Sequence, residues 1–152
     1  MREIKLRGYA VEEMIDSQWI YGTGVHKTTF TDEYAKETGK KYEYLIWTEM
    51  GWVEVLGESI GQYTGLKDKN GKGIYEGDVV KTHDQNNIIQ YQHGSFMLIG
   101  LYEDRYERNY SRLYHYLIDS TIPNMDGSRF DGVTTTLEII GNIYEHDNLL
   151  KK

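Results

Sequence analysis

The sequence contains no cysteine in 152 residues. That absence excludes disulfides, thiolate nucleophiles and Cys-ligated zinc or iron–sulfur centres. No apolar run approaches the ~20 residues that a membrane-spanning helix needs. The opening Met1-Arg2-Glu3-Ile4-Lys5-Leu6-Arg7 has no apolar stretch of the kind that marks a secretory leader. The expectation is a cytoplasmic protein without a membrane partner. Positive charge is also scarce. There are 17 Lys and Arg against 24 Asp and Glu, a net charge of −7. Residues 1–66 hold 7 basic and 11 acidic groups, and residues 67–152 hold 10 and 13. Neither half is a basic arm, so the overall field repels phosphates, and nucleic acid is not the expected partner.

Aromatic residues and glycine are plentiful, with 14 Tyr and 16 Gly, whereas proline occurs once. Tyrosine suits a pleated, half-buried surface, and frequent glycine suits turns and bulges. The pattern along the chain agrees. Short alternating stretches read as strands near residues 3–10, 18–25, 42–48, 52–56, 59–64, 87–92, 95–102, 112–118 and 135–144. The first two form a hairpin. Asn70-Gly71, between extended flanks, signals a type I′ hairpin turn, which needs φ > 0 twice. A further hairpin turns around Gln92-His93-Gly94. Residues 31–39 suit either one or two helical turns, with Thr31 as cap and Gly39 as stop, or an exposed loop. Ser120 to Val133 holds the only proline and reads as a mobile polar loop. Glu145 to Leu150 closes the chain as one helical turn.

Three blocks resemble one family. Met1–Arg7 followed by Trp19-Ile20-Tyr21-Gly22 is similar to the start of YopX proteins. Gly61–Gly71 followed by Ile74–Val80 resembles their central block. Glu138–Tyr144 with Asn148-Leu149-Leu150 resembles their C-terminal signature. The intervening segments, roughly 26–56 and 101–134, carry no motif. The resemblance implies a β-rich fold and a bacteriophage or prophage protein working in a bacterial cytoplasm. It brings no assigned activity and no catalytic residue. Gly73 departs from the family pattern, where a side chain such as Glu is expected, and this would loosen the second arm of the Asn70-Gly71 hairpin.

The fold expected is mainly β. An N-terminal β-meander (1–66) would pack on a C-terminal SH3-like small barrel (67–152) that ends in a helical turn. Gly77-Asp78-Val79-Val80 would enter the first barrel strand. A single α+β domain is the alternative if residues 31–38 or 103–114 are helical. The expected core comprises Trp19, Ile20, Trp47, Trp52, Val53, Val55, Ile74, Val79, Val80, Ile89, Phe96, Leu98, Ile139 and Ile143.

The candidate chemistry is sparse. Gly57-Glu58-Ser59-Ile60-Gly61 matches G-x-S-x-G, but a nucleophile elbow needs a helix after the serine. The residues that follow, Gln62-Tyr63-Thr64-Gly65, read as extended. Asp68–Gly73 begins like a calcium loop, yet Lys72 stands at a ligand position and Val79 replaces the closing Glu. Gly22-Thr23-Gly24 and Gly71-Lys72-Gly73 complete no phosphate-binding pattern. His26, His83, His93, His115 and His146 show no metal-ligand spacing, leaving only sites assembled across strands, such as His83 with Asp84 or His146 with Glu145 and Asp147. No catalytic, cofactor or metal residue is therefore assigned.

Two aromatic features point to partner binding. Asn87–Leu101 carries no Asp, Glu, Lys or Arg, so Tyr91 and Phe96 would sit on a poorly protected strand edge. Tyr102, Tyr106, Tyr110 and Tyr114 recur every four residues with Arg105, Arg108 and Arg112 between them. They form a stripe if helical, or cross-strand pairs in a hairpin, the reading the β-rich context favours. The partner-binding candidates are Tyr91, Phe96, Tyr102, Arg105, Tyr106, Arg108 and Tyr110. The function expected is a non-catalytic module that binds a host or phage protein, or a second copy of itself. A nucleic-acid-binding barrel and a hydrolase at Ser59 are the alternatives.

Overall fold

The computed structural model describes residues 2–82, 85–101, 110–118 and 132–146. The chain divides into two compact units, Met1–Gln62 and Tyr63–Lys152. Both are built mainly from short antiparallel strands.

In the first unit, β1 (Leu6–Tyr9) pairs with β2 (Trp19–Gly22) as the expected hairpin, in the register Leu6↔Gly22 to Tyr9↔Trp19. The chain then breaks at Thr23, inside the expected 18–25 strand, and begins β3 (Gly24–Thr29), of which the sequence pattern suggested only Gly24 and Val25. Helix α1 (Asp32–Thr38) follows. The Thr31 hydroxyl accepts the Tyr34 N–H, acids fill the first turn, and Gly39 ends the helix in the left-handed conformation. β4 (Tyr42–Thr48) and β5 (Gly51–Val55) complete a three-stranded sheet in the order β3-β4-β5. A 3₁₀ turn at Gly57–Ser59 leads to β6 (Gly61–Lys67), whose first residues pair with Leu6 and Arg7 of β1.

Two glycines let the hairpin close directly on β4. A Cβ at Gly22 would lie 2.1 Å from the Trp47 carbonyl oxygen, and one at Gly8 would lie 2.8 Å from Ile46 Cδ1. The close approach buries Ile46 and Val55. Trp47 and Trp52, expected in the core, are 47% and 52% exposed. They are direct cross-strand partners on the face of the sheet opposite Ile46. The period of two along a strand cannot bury both Ile46 and its neighbour Trp47.

In the second unit, β6 continues and pairs with β7 (Gly73–Tyr75). The turn between them differs from the expected type I′. Only Gly71 has positive φ there, at 84°. The Gly71 N–H donates to the Asp68 carbonyl, and Asp68 and Lys72 are joined through their backbones. This is a type I turn followed by a left-handed glycine. The buried carboxylate of Asp68 selects it. Oδ1 accepts the Asn70 and Lys72 N–H groups, each at 2.9 Å, and Oδ2 accepts the Ile139 N–H at 3.2 Å. Gly73 begins β7, where a Cβ would meet the Tyr63 ring at 3.0 Å.

β8 (Asp78–Lys81) starts at Gly77-Asp78, with Asp78 Oδ2 accepting the Tyr75 N–H at 2.8 Å. β9 (Asn86–Gln92) and β10 (Ser95–Gly100) form the second expected hairpin. Here φ is positive at both His93 (54°) and Gly94 (74°), the type I′ signature. β11 (Tyr110–Arg112), a 3₁₀ turn (Leu113–Tyr116) and β12 (Glu138–Asn142) complete the described residues. After β12 the Asn142 side chain accepts the Tyr144 and Glu145 N–H groups, making a turn at 143–145 that leads into the expected terminal segment Glu145–Leu150. Residues 147–150 of that segment, and residues 120–131 of the expected Ser120–Val133 loop, lie outside the described residues.

These strands form one open sheet in the order β11-β10-β9-β8-β12. An SH3-like closed barrel is therefore not what the described residues form. The end strands are unpaired with each other, and only an isolated bridge, Leu117↔Thr135, links the segments beside them. Chain 113–116 coils into a 3₁₀ turn and cannot extend β11 to close the sheet. One core, Ile74, Val80, Ile89, Leu98, Leu113 and Leu137, lies beneath, with Leu66, Phe96, Tyr116 and Ile139 packed against it.

Candidate functional site

Three of the seven expected partner-binding residues, Tyr91, Phe96 and Tyr110, lie among the described residues. Tyr91 and Phe96 do meet, as a cross-strand pair with ring centroids 5.1 Å apart, and Tyr91 is 55% exposed. Phe96, however, is turned toward the core. The hairpin also does not form an edge. β9 is hydrogen-bonded to β8 and β10, and β10 to β9 and β11. The lack of charge in Asn87–Leu101 thus marks a hairpin whose base is interior to the sheet, flanked by β8 at Asn86–Ile88 and by β11 at Met97–Ile99. Tyr110 lies in β11 opposite Ile99. Tyr102, Arg105, Tyr106 and Arg108 lie outside the described residues. From Tyr110 onward the chain is strand and then 3₁₀ turn, so no α-helical stripe carries the tyrosine repeat to Tyr114.

Ser59 is occupied structurally. Its buried hydroxyl accepts the Tyr9 N–H at 2.7 Å and donates to the Leu56 carbonyl at 2.6 Å. A strand follows it where a nucleophile elbow needs a helix. His26 lies 6.1 Å from the Trp52 ring and His115 packs on Tyr114, while His146 Nδ1 accepts the Asn142 N–H. His83 and Asp84 lie outside the described residues. Among the described residues no three His, Cys, Asp or Glu side chains cluster as a metal site would require. No helix there is long and apolar enough to cross a membrane.

One groove among the described residues is lined wholly by the first unit. It has a volume of about 890 Å³ and lies between β2, the 11–18 connection and the β4–β5 turn. Trp19, Ile20 and Val53 line it, and Met14, Ile15 and Met50 project from its banks. Ile15 is 100% exposed and Met50 is 91% exposed.

Both banks are held by side-chain hydrogen bonds. The Gln18 amide braces the first. Its Nε2 donates to the carbonyls of Ala10 (2.9 Å) and Glu12, and its Oε1 accepts the Met14 N–H at 3.1 Å. The Gln18 carbonyl also accepts the Ala10 N–H at 2.8 Å. Thr48 shapes the second bank. Its hydroxyl accepts the Met50 N–H at 3.1 Å and donates to the Gly51 carbonyl at 2.8 Å. Beneath, Trp19 is wedged edge-on against Tyr9, with the Arg7 guanidinium 4.6 Å from its ring centre. Residues 12–17 read as a merely polar connection in the sequence, and Met50 as a turn residue. The available signal was Met14-Ile15 set among Glu12, Glu13 and Asp16, apolar side chains where a solvated loop has no use for them.

Charge is unevenly placed on this unit. Lys40 sits between Glu43 and Glu54, and its pKa is raised, chiefly by the hydrogen bond to Glu54. Those two carboxylates are thereby matched. Along the groove stand Glu13, Asp16 and Glu49, with Lys5 as the one basic residue lining it among the described residues.

A family model described as YopX protein matches residues 7–151. The chain belongs to the YopX family. The match spans nearly the whole sequence, including the two intervening segments that carry no motif of their own. No curated protein matches the chain. Among solved structures, protein EF1440 from Enterococcus faecalis is 21% identical over 99% of each chain, with a TM-score of 0.32.

Proposed function

We propose that this YopX-family chain is a phage- or prophage-encoded accessory protein of the bacterial cytoplasm that acts as a non-catalytic binding module. It takes a segment of a host or phage protein into the groove of its first unit. The observation that carries this reading is the pair of apolar side chains on the banks, Ile15 and Met50, left almost wholly in water beside Trp47 and Tyr21. Contiguous exposed apolar surface rimmed by polar residues is a feature of interaction sites. Small-ligand pockets are concave and bury most of their ligand. Here the most exposed apolar groups, Ile15 and Met50, stand on projecting banks, a shape suited to a chain lying across them. Methionine and tryptophan also suit such a surface, the first by adaptability and the second by large rigid area.

Site-specific photocrosslinking in bacterial cells tests the proposal. A benzophenone side chain at position 50 is expected to give a discrete protein adduct that disappears when Ile15→Ser is added. The same group at position 91 is expected not to give it. Equal adducts from both positions, or none from position 50, would overturn the assignment. An adduct of twice the chain's mass would make the occupant a second copy.

A further inference from the structure

We infer that the segment this groove accepts carries Lys or Arg beside its apolar anchors. The inference rests on the protein-binding reading above and adds the chemistry of the partner. Glu13, Asp16 and Glu49 are all exposed along the groove. Among the described residues no cation lies within ion-pair distance of any of the three. The one basic residue of the lining, Lys5, is engaged with Glu3 at 2.8 Å. Elsewhere on the same unit the acids Glu43 and Glu54 share Lys40, and in the second unit Glu138 is paired with Lys69. The unmatched carboxylates of the groove thus form a local negative rim around an apolar floor.

Such a rim steers an oppositely charged chain during encounter and rejects acidic ones. The exposed indole of Trp47 lies in the same lining and offers a face to an ammonium or guanidinium group. This unit already uses that chemistry, with Arg7 over Trp19 and the Lys27 ammonium 4.1 Å from the Tyr42 ring centre. A second copy is a poorer occupant. It would bring the same three rim acids, on a unit with seven Lys and Arg against eleven Asp and Glu. Nucleic acid is rejected by the same charges.

A yeast-displayed random peptide library, selected against the full chain, tests this. The enriched peptides are expected to pair aromatic or aliphatic residues with Lys or Arg. The combined variant Glu13→Gln, Asp16→Asn, Glu49→Gln is expected to weaken their binding roughly tenfold, as three rim pairs of modest strength would. It should also remove most of the salt dependence of binding. The double variant Ile15→Ser, Met50→Ser reports on the groove itself and is expected to abolish binding. Peptides lost in that double variant but indifferent to the acid substitutions and to salt would overturn the basic-partner inference and leave the groove reading standing. Peptides indifferent to Ile15→Ser, Met50→Ser, or no enrichment at all, would overturn both. All five positions are exposed or at the tips of the banks, and an unchanged circular dichroism spectrum confirms that each variant is folded.

Discussion

The two units offer an even comparison, since each contributes 61 described residues. They use their apolar residues in opposite ways. Among the described residues, the second unit buries twelve apolar or aromatic side chains and leaves two large ones exposed, Tyr91 and Tyr114. The first unit buries three, Ala10, Ile46 and Val55, and exposes ten. Fully burying a large aliphatic side chain contributes about 1.5–3 kcal/mol. The second unit therefore draws on a core, and the first carries apolar surface that does little for its own folding. Surface of that kind contributes free energy only when something covers it, which links the composition of the first unit to the groove and its proposed occupant.

The largest effect that would test this contrast comes from the second unit's core. Ile89 is fully buried between Ile74, Val80 and Leu98 in a single cluster. Ile89→Ala should lower stability by about 2–5 kcal/mol, the transfer term plus the cavity it leaves. Urea unfolding measures this directly, and a loss below about 1 kcal/mol would mean that the core is not the organising feature it is taken to be. Asp68→Ala comes next. It strands three backbone N–H groups, those of Asn70, Lys72 and Ile139, at a buried carboxylate that ties the turn to β12. Leaving buried donors unsatisfied costs about 1–3 kcal/mol each where water cannot reach them. An overall loss of about 2–4 kcal/mol is expected in the same assay, and Asp68→Asn, which keeps one acceptor, should lose less.

In the first unit the sharpest test is a methyl group. Gly22→Ala places a Cβ 2.1 Å from the Trp47 carbonyl oxygen, which is backbone and cannot swing aside. Overpacking of this kind costs about 1–3 kcal/mol. It should also displace β2 from β4 and weaken any ligand of the groove. Gly24→Ala supplies the control, since its Cβ would find Trp47 Cβ at an ordinary 3.7 Å. Equal thermal stability for the two variants would refute the close approach that forms the groove floor.

Much of this was legible in the sequence, and the misses share one physical cause. Local signals held. Thr31 and Gly39 framed a helix, the two main hairpins fell where glycine-containing turns placed them, and alternation marked most strands. Long-range facts were the ones that went astray. Asn70-Gly71 has the letters of a type I′ turn, but the Asp68 carboxylate collects N–H groups from both sides of the turn and from β12, 71 residues away, and so selects another geometry. His93-Gly94 takes the type I′ form instead. The Asn87–Leu101 hairpin reads as an unprotected edge because nothing local shows β8 and β11 flanking it. Trp47 and Trp52 were expected in the core because tryptophan is apolar. The contrary signal was in the pleat, for Glu43 shares a face with Trp47 and Glu54 with Trp52. Gln18 could not have been read as the brace of the groove, because a glutamine in a loop looks like any other solvated side chain.

The smallest expected effect sharpens the comparison most. Ile15→Ser with Met50→Ser removes two large apolar side chains from the first unit, yet stability should shift by no more than about 0.5 kcal/mol. Ile15 and Met50 are nearly as exposed in the folded protein as in the unfolded chain. Their transfer free energy therefore cancels between the two states and cannot contribute to folding. The backbone bonds that shape the banks belong to Gln18 and Thr48, which the substitutions leave in place. Measured beside Ile89→Ala in one urea series, the double variant should unfold with the wild type while the core variant unfolds well before it. A loss comparable to that of Ile89→Ala would mean that these side chains are covered within the folded chain. The groove would then be part of the packing of the first unit, and the contrast between a unit with a core and a unit with an unfilled binding surface would fail.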